Sequence, residues 1–341
     1  MINLFFVAII LLIFATLIYY SFKKKILFII QLFGKFSQIG DYFFSFKLYN
    51  KKSVGLTIKN KKQKLSKKFG IIIQGPLIDN SNFTVETLNF YSKNYPEMPI
   101  IVSTWEEDAE KLKKIMNNKI KKNVFIISNK LPAYSGYKNI NYQAVSTKNA
   151  IKYAKKLKCT HVLKTRSDTR IYSNNFADYF LNLIKFYKLN HKFKSQKERI
   201  ISTSFTLRYR MYSVSDLIMF GNIDDLYKYF DILTDEEIEN KFYRFLIKLK
   251  FKDKKYFVQK EFCPEIYFFS EFFKKINIKL KWKPDDFIKK ISENFIIIDN
   301  NSLSVYWKKS DKTNNHFSNK PIPTEKSIEF SFSDWFNFFS K

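Results

Sequence analysis

The stretch "VLKTRSDTRIY" at residues 162–172 decides the fold. Val162 and Leu163 open an apolar run of the kind that lies in a buried strand, yet Lys164, Arg166, Asp168 and Arg170 then follow at alternating positions. A strand that ends in a burst of charge is one whose carboxyl end faces something polar. Two readings fit it: an exposed salt-bridge ladder from Arg166 through Asp168 to Arg170, which contributes little, or a site where a carboxylate meets a divalent cation and a guanidinium meets phosphate.

Working outward, the same kind of run recurs upstream. "GIIIQGP" at 70–76, "IIVSTW" at 100–105, "NVFIISN" at 123–129 and "HVLKTR" at 161–166 predict four strands. Between them, "TVETLNFYSKNY", "EEDAEKLKKIMNNK" and "NYQAVSTKNAIKYAKKL" carry helical spacing. Strands alternating with helices of this length predict an α/β fold with a mostly parallel, Rossmann-type sheet flanked by helices. In such sheets ligands bind beyond the carboxyl ends of the strands. Those ends read Gln74-Gly75-Pro76, Ser103-Thr104-Trp105, Ser128-Asn129 and Arg166-Ser167-Asp168. The backbone near Gly75 suits a ribose or phosphate, Trp105 a base, and Arg166 with Asp168 a sugar nucleotide's diphosphate and a bridging Mg2+ or Mn2+, whose charges stabilise the leaving oxygen.

Composition narrows the classes. The 341 residues are enough for one large domain or two smaller ones, and 45% hydrophobic with 18% aromatic residues excludes a disordered polyelectrolyte. Sixty Lys and Arg against 31 Asp and Glu give a formal charge of +29, which points to a polyanionic partner. Coding drift toward A and T would enrich Lys, Ile, Asn, Phe and Tyr together, so the charge supports a function without naming one. Two distant cysteines, Cys159 and Cys263, and three scattered histidines exclude a disulfide framework, a zinc cage and an H-E-x-x-H site. Seven glycines leave no dinucleotide or Walker A fingerprint.

Residues 2–22, "INLFFVAIILLIFATLIYYSF", carry no charge and, at about 1.5 Å per residue, match the roughly 30 Å hydrocarbon core. They predict a transmembrane anchor over 1–22. Lys23, Lys24 and Lys25 follow it and no Lys or Arg precedes it, so a single-pass chain with its catalytic bulk in the cytoplasm is expected. Residues 23–68 form a basic juxtamembrane segment ending in "KNKKQKLSKK"; within it, 26–50 suits either an interfacial helix or one packed on the domain.

The segment "NINYQAVST" at 139–147, with "IIIQGP" at 71–76, "STW" at 103–105, "KTRSDTRI" at 164–171 and "SDLIMFG" at 215–221, resembles the WavE family of lipopolysaccharide-synthesis proteins, and the helix leading into "RSD" is similar to the segment before the acidic metal motif of GT-A glycosyltransferases. The resemblance spans about 69–221. It implies a GT-A-like nucleotide-sugar-binding region and a glycosyltransferase at the bacterial inner membrane, with a lipopolysaccharide, lipooligosaccharide or capsule-type acceptor, glycolipid or polysaccharide. Gln74, Gly75, Pro76, Thr104, Trp105, Asn141, Gln143, Ser146 and Arg166 are the expected donor contacts and Asp168 the expected metal ligand. One departure stands out: Arg166 occupies the place of the second carboxylate of a full acidic pair.

Residues 222–341 are expected to form a helical acceptor-side region. "SVSDLIMFG" at 213–221 predicts a strand with Asp216 near its start, and "EFCPEIYFF" puts Glu265 in a Pro-marked helix start. An inverting transferase needs a carboxylate to take the acceptor's proton; Glu265 is the first candidate and Asp216 the second, while for Glu265 a favourable first-turn charge is the competing reading. The basic run ending "KLKFKDKK" suits a solvated face or phospholipid, and the tail "FSFSDWFNFFSK" suits docking on the domain or dipping into the membrane interface. A sugar-phosphate transferase and a non-catalytic membrane-tethered binder of anionic lipid or nucleic acid are the rival classes. Nucleic acid is not an expected partner, since no basic helix, aromatic sheet motif or zinc finger of a reader is present.

Overall fold

Runs such as Ile71-Ile72-Ile73 hold strands together because both faces of each are covered, so no alternation with polar residues is needed. The computed structural model describes residues 38–39, 42–43, 68–78, 82–116, 122–173, 175–190, 195–259, 261–308 and 328–340. The expected anchor at 2–22 and nearly all of the juxtamembrane segment lie outside these, apart from a short antiparallel pair, Gln38–Ile39 with Tyr42–Phe43. Among the described residues no helix is long and apolar enough to cross a membrane.

The first half alternates as expected: β1 (Phe69–Gln74), α1 (Phe83–Asn94), β2 (Ile100–Trp105), α2 (Glu106–Met116), β3 (Val124–Asn129), α3 (Ile140–Lys156) and β4 (His161–Arg166). There follow β5 (Thr169–Ile171), α4 (Phe176–Phe186), β6 (Ile200–Thr203), β7 (Met219–Asn222), α5 (Ile223–Phe230), α6 (Glu236–Leu246), α7 (Pro264–Lys275), α8 (Pro284–Asn294), β8 (Phe295–Ile298), β9 (Val305–Trp307) and α9 (Phe332–Phe339). A seven-stranded sheet runs β8-β6-β7-β4-β1-β2-β3, parallel except for β7. A small antiparallel pair, β5 with β9, sits apart from it.

The chain lays down β1, β2 and β3 in one direction and then crosses back to place β4 on the other side of β1. The order of strands therefore reverses between β1 and β4, which opens a crevice at their carboxyl ends. Ala144, Ala150 and Ala154 on the buried face of α3 let that helix lie close over β1, β2 and β3.

The second half is mostly helical as expected, with short strands added. "FIII" at 295–298, in a region expected to be mostly helical, is the edge strand β8, paired parallel with β6. A four-residue apolar run cannot be told from buried helix by period alone. Likewise, of the stretch expected as a strand at 213–221, only the part from Met219 onward belongs to β7 and pairs with β4, and Asp216 lies in the loop before it. The loop keeps its burial through hydrogen bonds: Ser202 Oγ donates to the Ser215 carbonyl at 2.7 Å, and the Ser215 amide to Thr206 Oγ1 at 2.9 Å.

An aromatic core binds α5, α7 and β8, with Tyr229 stacked on Phe268 and Phe269 on Phe295. The aromatic tail docks on the domain: Ser331 and Asp334 form a capping box that starts α9, and fully buried Trp335 donates its indole N–H to the Phe295 carbonyl at 2.8 Å.

Candidate functional site

Across the sheet, Gln74 pairs with Ser103 of β2 on one side and Arg166 of β4 on the other. Gln74 thus sits at the strand reversal. Toward β2 and β3 lies a neutral half of the crevice, held among the described residues by hydrogen bonds and not by ion pairs, although Glu106, Glu107 and Asp108 open α2 at its edge; toward β4 lies a charged half.

In the neutral half the backbone turns at Gly75, φ +122°, and a Cβ there would lie 2.9 Å from Ser167 Oγ. Only glycine fits both conditions. The Ser167 amide donates to the Gln74 carbonyl at 2.9 Å, tying the two strand ends together. Asp108 in the first turn of α2 accepts the Leu77 amide at 2.9 Å and so fixes the loop after Pro76, and the buried Thr104 hydroxyl donates to the same carboxylate at 3.4 Å. Asn129 donates to Ser103 Oγ and the Thr104 carbonyl. Trp105 is half-buried against Tyr142, with ring centroids 5.0 Å apart.

Of the polar residues on α3, the structure turns Asn141 and Ser146 inward. Asn141 Nδ2 donates to the carbonyls of Tyr134 and Thr234, and its Oδ1 accepts from the Thr234 amide and hydroxyl. Ser146 Oγ donates to the Tyr142 carbonyl at 2.6 Å. Both are filled by the protein and hold the helix; the α3 residue that reaches the mouth at Trp105 is Tyr142. Gln143 Nε2 donates to the Lys138 carbonyl at 3.4 Å, and its buried Oε1 has no partner among the described residues.

The charged half consists of three ion pairs. Arg166 forks onto Asp168, Nε to Oδ1 at 3.0 Å and Nη2 to Oδ2 at 2.9 Å. Lys164, fully buried inside β4, donates to the Asp216 carbonyl and stands 3.4 Å from its Oδ2. Arg210 Nη2 stands 3.6 Å from Glu265 Oε1, while the Cys263 thiol donates to Oε2 at 2.9 Å. The three pairs sense one another: burial would lower the Arg166 guanidinium, but Asp168, with Asp216 and Glu265 beyond it, raises it above its ordinary value. Arg210 is likewise raised against the effect of burial. Burial pulls Lys164 down more than Asp216 lifts it, and pushes the Cys263 thiol up to about 12, so that group stays a neutral donor to Glu265. For Asp168, burial pulls upward, but Arg166 and the bonds from Trp307 and Thr169 hold the carboxyl below the usual range.

The facing of the pairs differs. In Arg166–Asp168 the cation is the outer member, 28% exposed against 7% for the aspartate side chain. In Arg210–Glu265 and Lys164–Asp216 the carboxylate is the outer member, at 26% against 14% and 12% against 0%. Arg170, expected as a third rung of a ladder, turns away to α1, donating to Thr87 Oγ1 and the Phe83 carbonyl.

The donor set at Asp168 does not suit a hard divalent cation. Oδ1 accepts from Arg166 Nε and from Thr169 Oγ1 at 3.2 Å; Oδ2 accepts from Arg166 Nη2 and from Trp307 Nε1 at 3.1 Å. A carboxylate offers about four lone-pair positions, and all are filled. Among the described residues no three His, Cys, Asp or Glu side chains group as a metal site.

Sequence reading missed Lys164, Arg210, Cys263 and Trp307 as site residues. Lys164 had a signal, a lysine in the interior of a strand covered on both faces. Trp307 had none: it comes from β9, paired to β5 across 139 residues of chain from the aspartate it touches.

The chain resembles several solved structures. S. aureus TarS is 15% identical over 66% of this chain and 38% of its own, with a TM-score of 0.33. A 4-diphosphocytidyl-2C-methyl-D-erythritol synthase from Anaerococcus prevotii DSM 20548 is 14% identical over 59% of this chain and 91% of its own, TM-score 0.30. A protein described as a nucleotide-diphospho-sugar transferase from Desulfovibrio desulfuricans G20 is 11% identical over 50% and 70%, TM-score 0.31. No curated protein matches. The family model for WavE lipopolysaccharide synthesis matches residues 69–340 and carries the assignment, extending past the expected limit at 221 to take in Glu265, Trp307 and Trp335. The chain belongs to the WavE family of lipopolysaccharide-synthesis proteins.

Proposed function

We propose that the protein transfers a sugar from a nucleotide-sugar donor to a lipopolysaccharide, lipooligosaccharide or capsule-type acceptor, glycolipid or polysaccharide, at the carboxyl edge of the sheet. The carrying observation is the outward-facing Arg166 guanidinium at the strand reversal, beside the Gln74-Gly75 turn. The nucleoside lies along the neutral half against Trp105, and the diphosphate meets Arg166. The acceptor enters from the side of α7. Its hydroxyl oxygen attacks the anomeric carbon, the bond from that carbon to the diphosphate oxygen breaks, and the nucleoside diphosphate departs with the electron pair. Glu265 takes the hydroxyl proton. It is the most exposed carboxylate of the three pairs, and Arg210 and Cys263 hold it from behind. Asp216, drawn toward buried Lys164, is the second candidate.

Incubating the full-length protein with a panel of nucleotide sugars and following donor hydrolysis or transfer tests this reading. One donor consumed, with its sugar and no phosphorus in the acceptor, is expected; retained phosphorus means a sugar-phosphate transferase, and no donor consumed rejects the reading. We also place the protein on the cytoplasmic face of the inner membrane through residues 2–22. Lys23 to Lys25 support this, and the exposed Lys248, Lys250, Lys252, Lys254 and Lys255 suit an anionic leaflet. Fractionation with protease protection of the carboxyl terminus in inverted vesicles would refute that orientation.

A further inference from the structure

The Arg166–Asp168 pair is arranged in the reverse order to a metal site. A cation site turns its carboxylate toward the ligand and needs lone pairs left open on it. Here the carboxylate is the inner member, its four lone-pair positions are taken by Arg166, Thr169 and Trp307, and the guanidinium is the outer member, beside Gln74 at the strand reversal. The other carboxylates of the cluster are each backed by a cation of their own, Lys164 or Arg210.

We infer that the donor's diphosphate is neutralised in this protein by the Arg166 guanidinium, aimed by Asp168 and Trp307, with no divalent cation held on Asp168. The inference rests on the nucleotide-sugar reading and names how that site handles charge. A guanidinium supplies the same service to a departing diphosphate as a metal ion: fixed positive charge and a planar fork that matches two phosphate oxygens. Asp168 is then a positioning residue. It fixes the fork's plane through Nε and Nη2, which leaves Nη1 as the guanidinium nitrogen not committed to it. Trp307, arriving from β9, fixes the aspartate in turn.

The test uses the full-length protein and four probes, the diphosphates of uridine, cytidine, guanosine and adenosine, titrated calorimetrically in EDTA and in MgCl2. Manganese alone is followed by electron paramagnetic resonance. At least one diphosphate is expected to bind with affinities within about threefold in the two buffers, and Mn2+ is expected to stay free in the protein's presence. Arg166→Ala should weaken that diphosphate more than tenfold. Arg166→Lys, which keeps the charge and loses the fork, guards against a folding failure and should also weaken it severalfold. Trp307→Phe should reduce affinity by a smaller factor through Asp168. Diphosphate binding that disappears in EDTA overturns the inference, as does one Mn2+ per chain that Asp168→Asn releases. A folded protein that binds no diphosphate in either buffer overturns the nucleotide-sugar reading and this inference with it. Binding in MgCl2 alone overturns this inference and leaves that reading standing.

Discussion

The two sides of the charged half are built from the same groups and face opposite ways. On the proposed donor side Asp168 lies beneath Arg166 and the outer group is a cation; on the proposed acceptor side Arg210 and Lys164 lie beneath Glu265 and Asp216 and the outer groups are carboxylates. A count of charges would call the cluster balanced. Its order in depth separates a side whose outer group is a cation from a side whose outer groups are carboxylates, which is the division the proposed reading uses. In each pair the inner member backs the outer one, and on the proposed reading the outer one meets the substrates.

The sharpest way to break this comparison is to neutralise the outer carboxylate. Glu265→Gln keeps the shape and removes the base, so transfer should fall by about 10² to 10⁴, the usual worth of a positioned general base. Arg210 behind it keeps Ser213 Oγ and the Gln oxygen as acceptors, so the unfolding midpoint should fall less than in Asp168→Asn. If Glu265→Gln turns over like the parent while Asp216→Asn is inactive, the roles of the two acceptor-side carboxylates are exchanged.

Neutralising the inner member on the donor side should act differently. Asp168→Asn leaves a guanidinium with one acceptor in place of two in a setting where Asp168 itself is buried, at a cost on the order of 3 kcal/mol of stability, since breaking a buried pair strands the remaining charge. The loss should show in the melting midpoint and in diphosphate affinity together, because the fork loses its aim. An unchanged midpoint with lost turnover would mean Asp168 touches the substrate.

These two sides differed in how far the sequence displayed them. The ends of β1, β2 and β4 were legible because each follows a continuous apolar run, and the run fixes where the polar residues emerge. The neutral half was therefore located from sequence, although Thr104, Asn141 and Ser146 proved to bond inward: a polar residue at a strand end or on a helix face does not state its direction. The charged half is assembled from residues 164 to 307, joined only by tertiary pairing. Asp216 and Glu265 could be picked out as carboxylates near element starts, but Arg210 and Trp307 sit in stretches with no period or turn to mark them. The strands β6, β8 and β9 are three or four residues long, too short for alternation to register.

A smaller effect tests whether the neutral half is as rigid as its hydrogen bonds imply. Gly75→Ala forces a Cβ to within 2.9 Å of Ser167 Oγ at a φ of +122°, which should cost about 2–3 kcal/mol. Ser167→Gly in the same chain removes the contact and leaves the φ strain, so it should restore part of the midpoint. Full restoration would mean the backbone at Gly75 carries no strain of its own; none would mean the contact is not what glycine avoids.

The smallest effect separates the pH response of the fold from that of the site. Asp225 is fully buried on α5 and is held by backbone donors, the Lys197 and Glu198 amides at 2.9 Å to Oδ2. Burial pushes its carboxyl up to about 6 from an ordinary 3.8, against the pull of those two amides. A pKa raised by folding means that the native state favours the protonated form. The stability this gives is full below about pH 4 and is lost as pH climbs through about 6. The pair Asp168–Arg166 has the opposite sign, with its carboxyl held down, so its contribution is present above the ordinary value and lost as pH falls. Comparing parent with Asp225→Asn, which keeps one acceptor oxygen and does not titrate, isolates the first term. The parent's advantage over the variant should shrink by on the order of 2 kcal/mol between pH 4 and pH 7. Denaturant unfolding of both proteins across that range measures it, and a difference that stays flat means Asp225 is ionised throughout. Transfer rate, which the proposed reading assigns to Glu265 and Arg166, should keep the same pH profile in Asp225→Asn; a profile that moves with Asp225 would make the pH response of turnover a matter of the fold and not of the charged crevice.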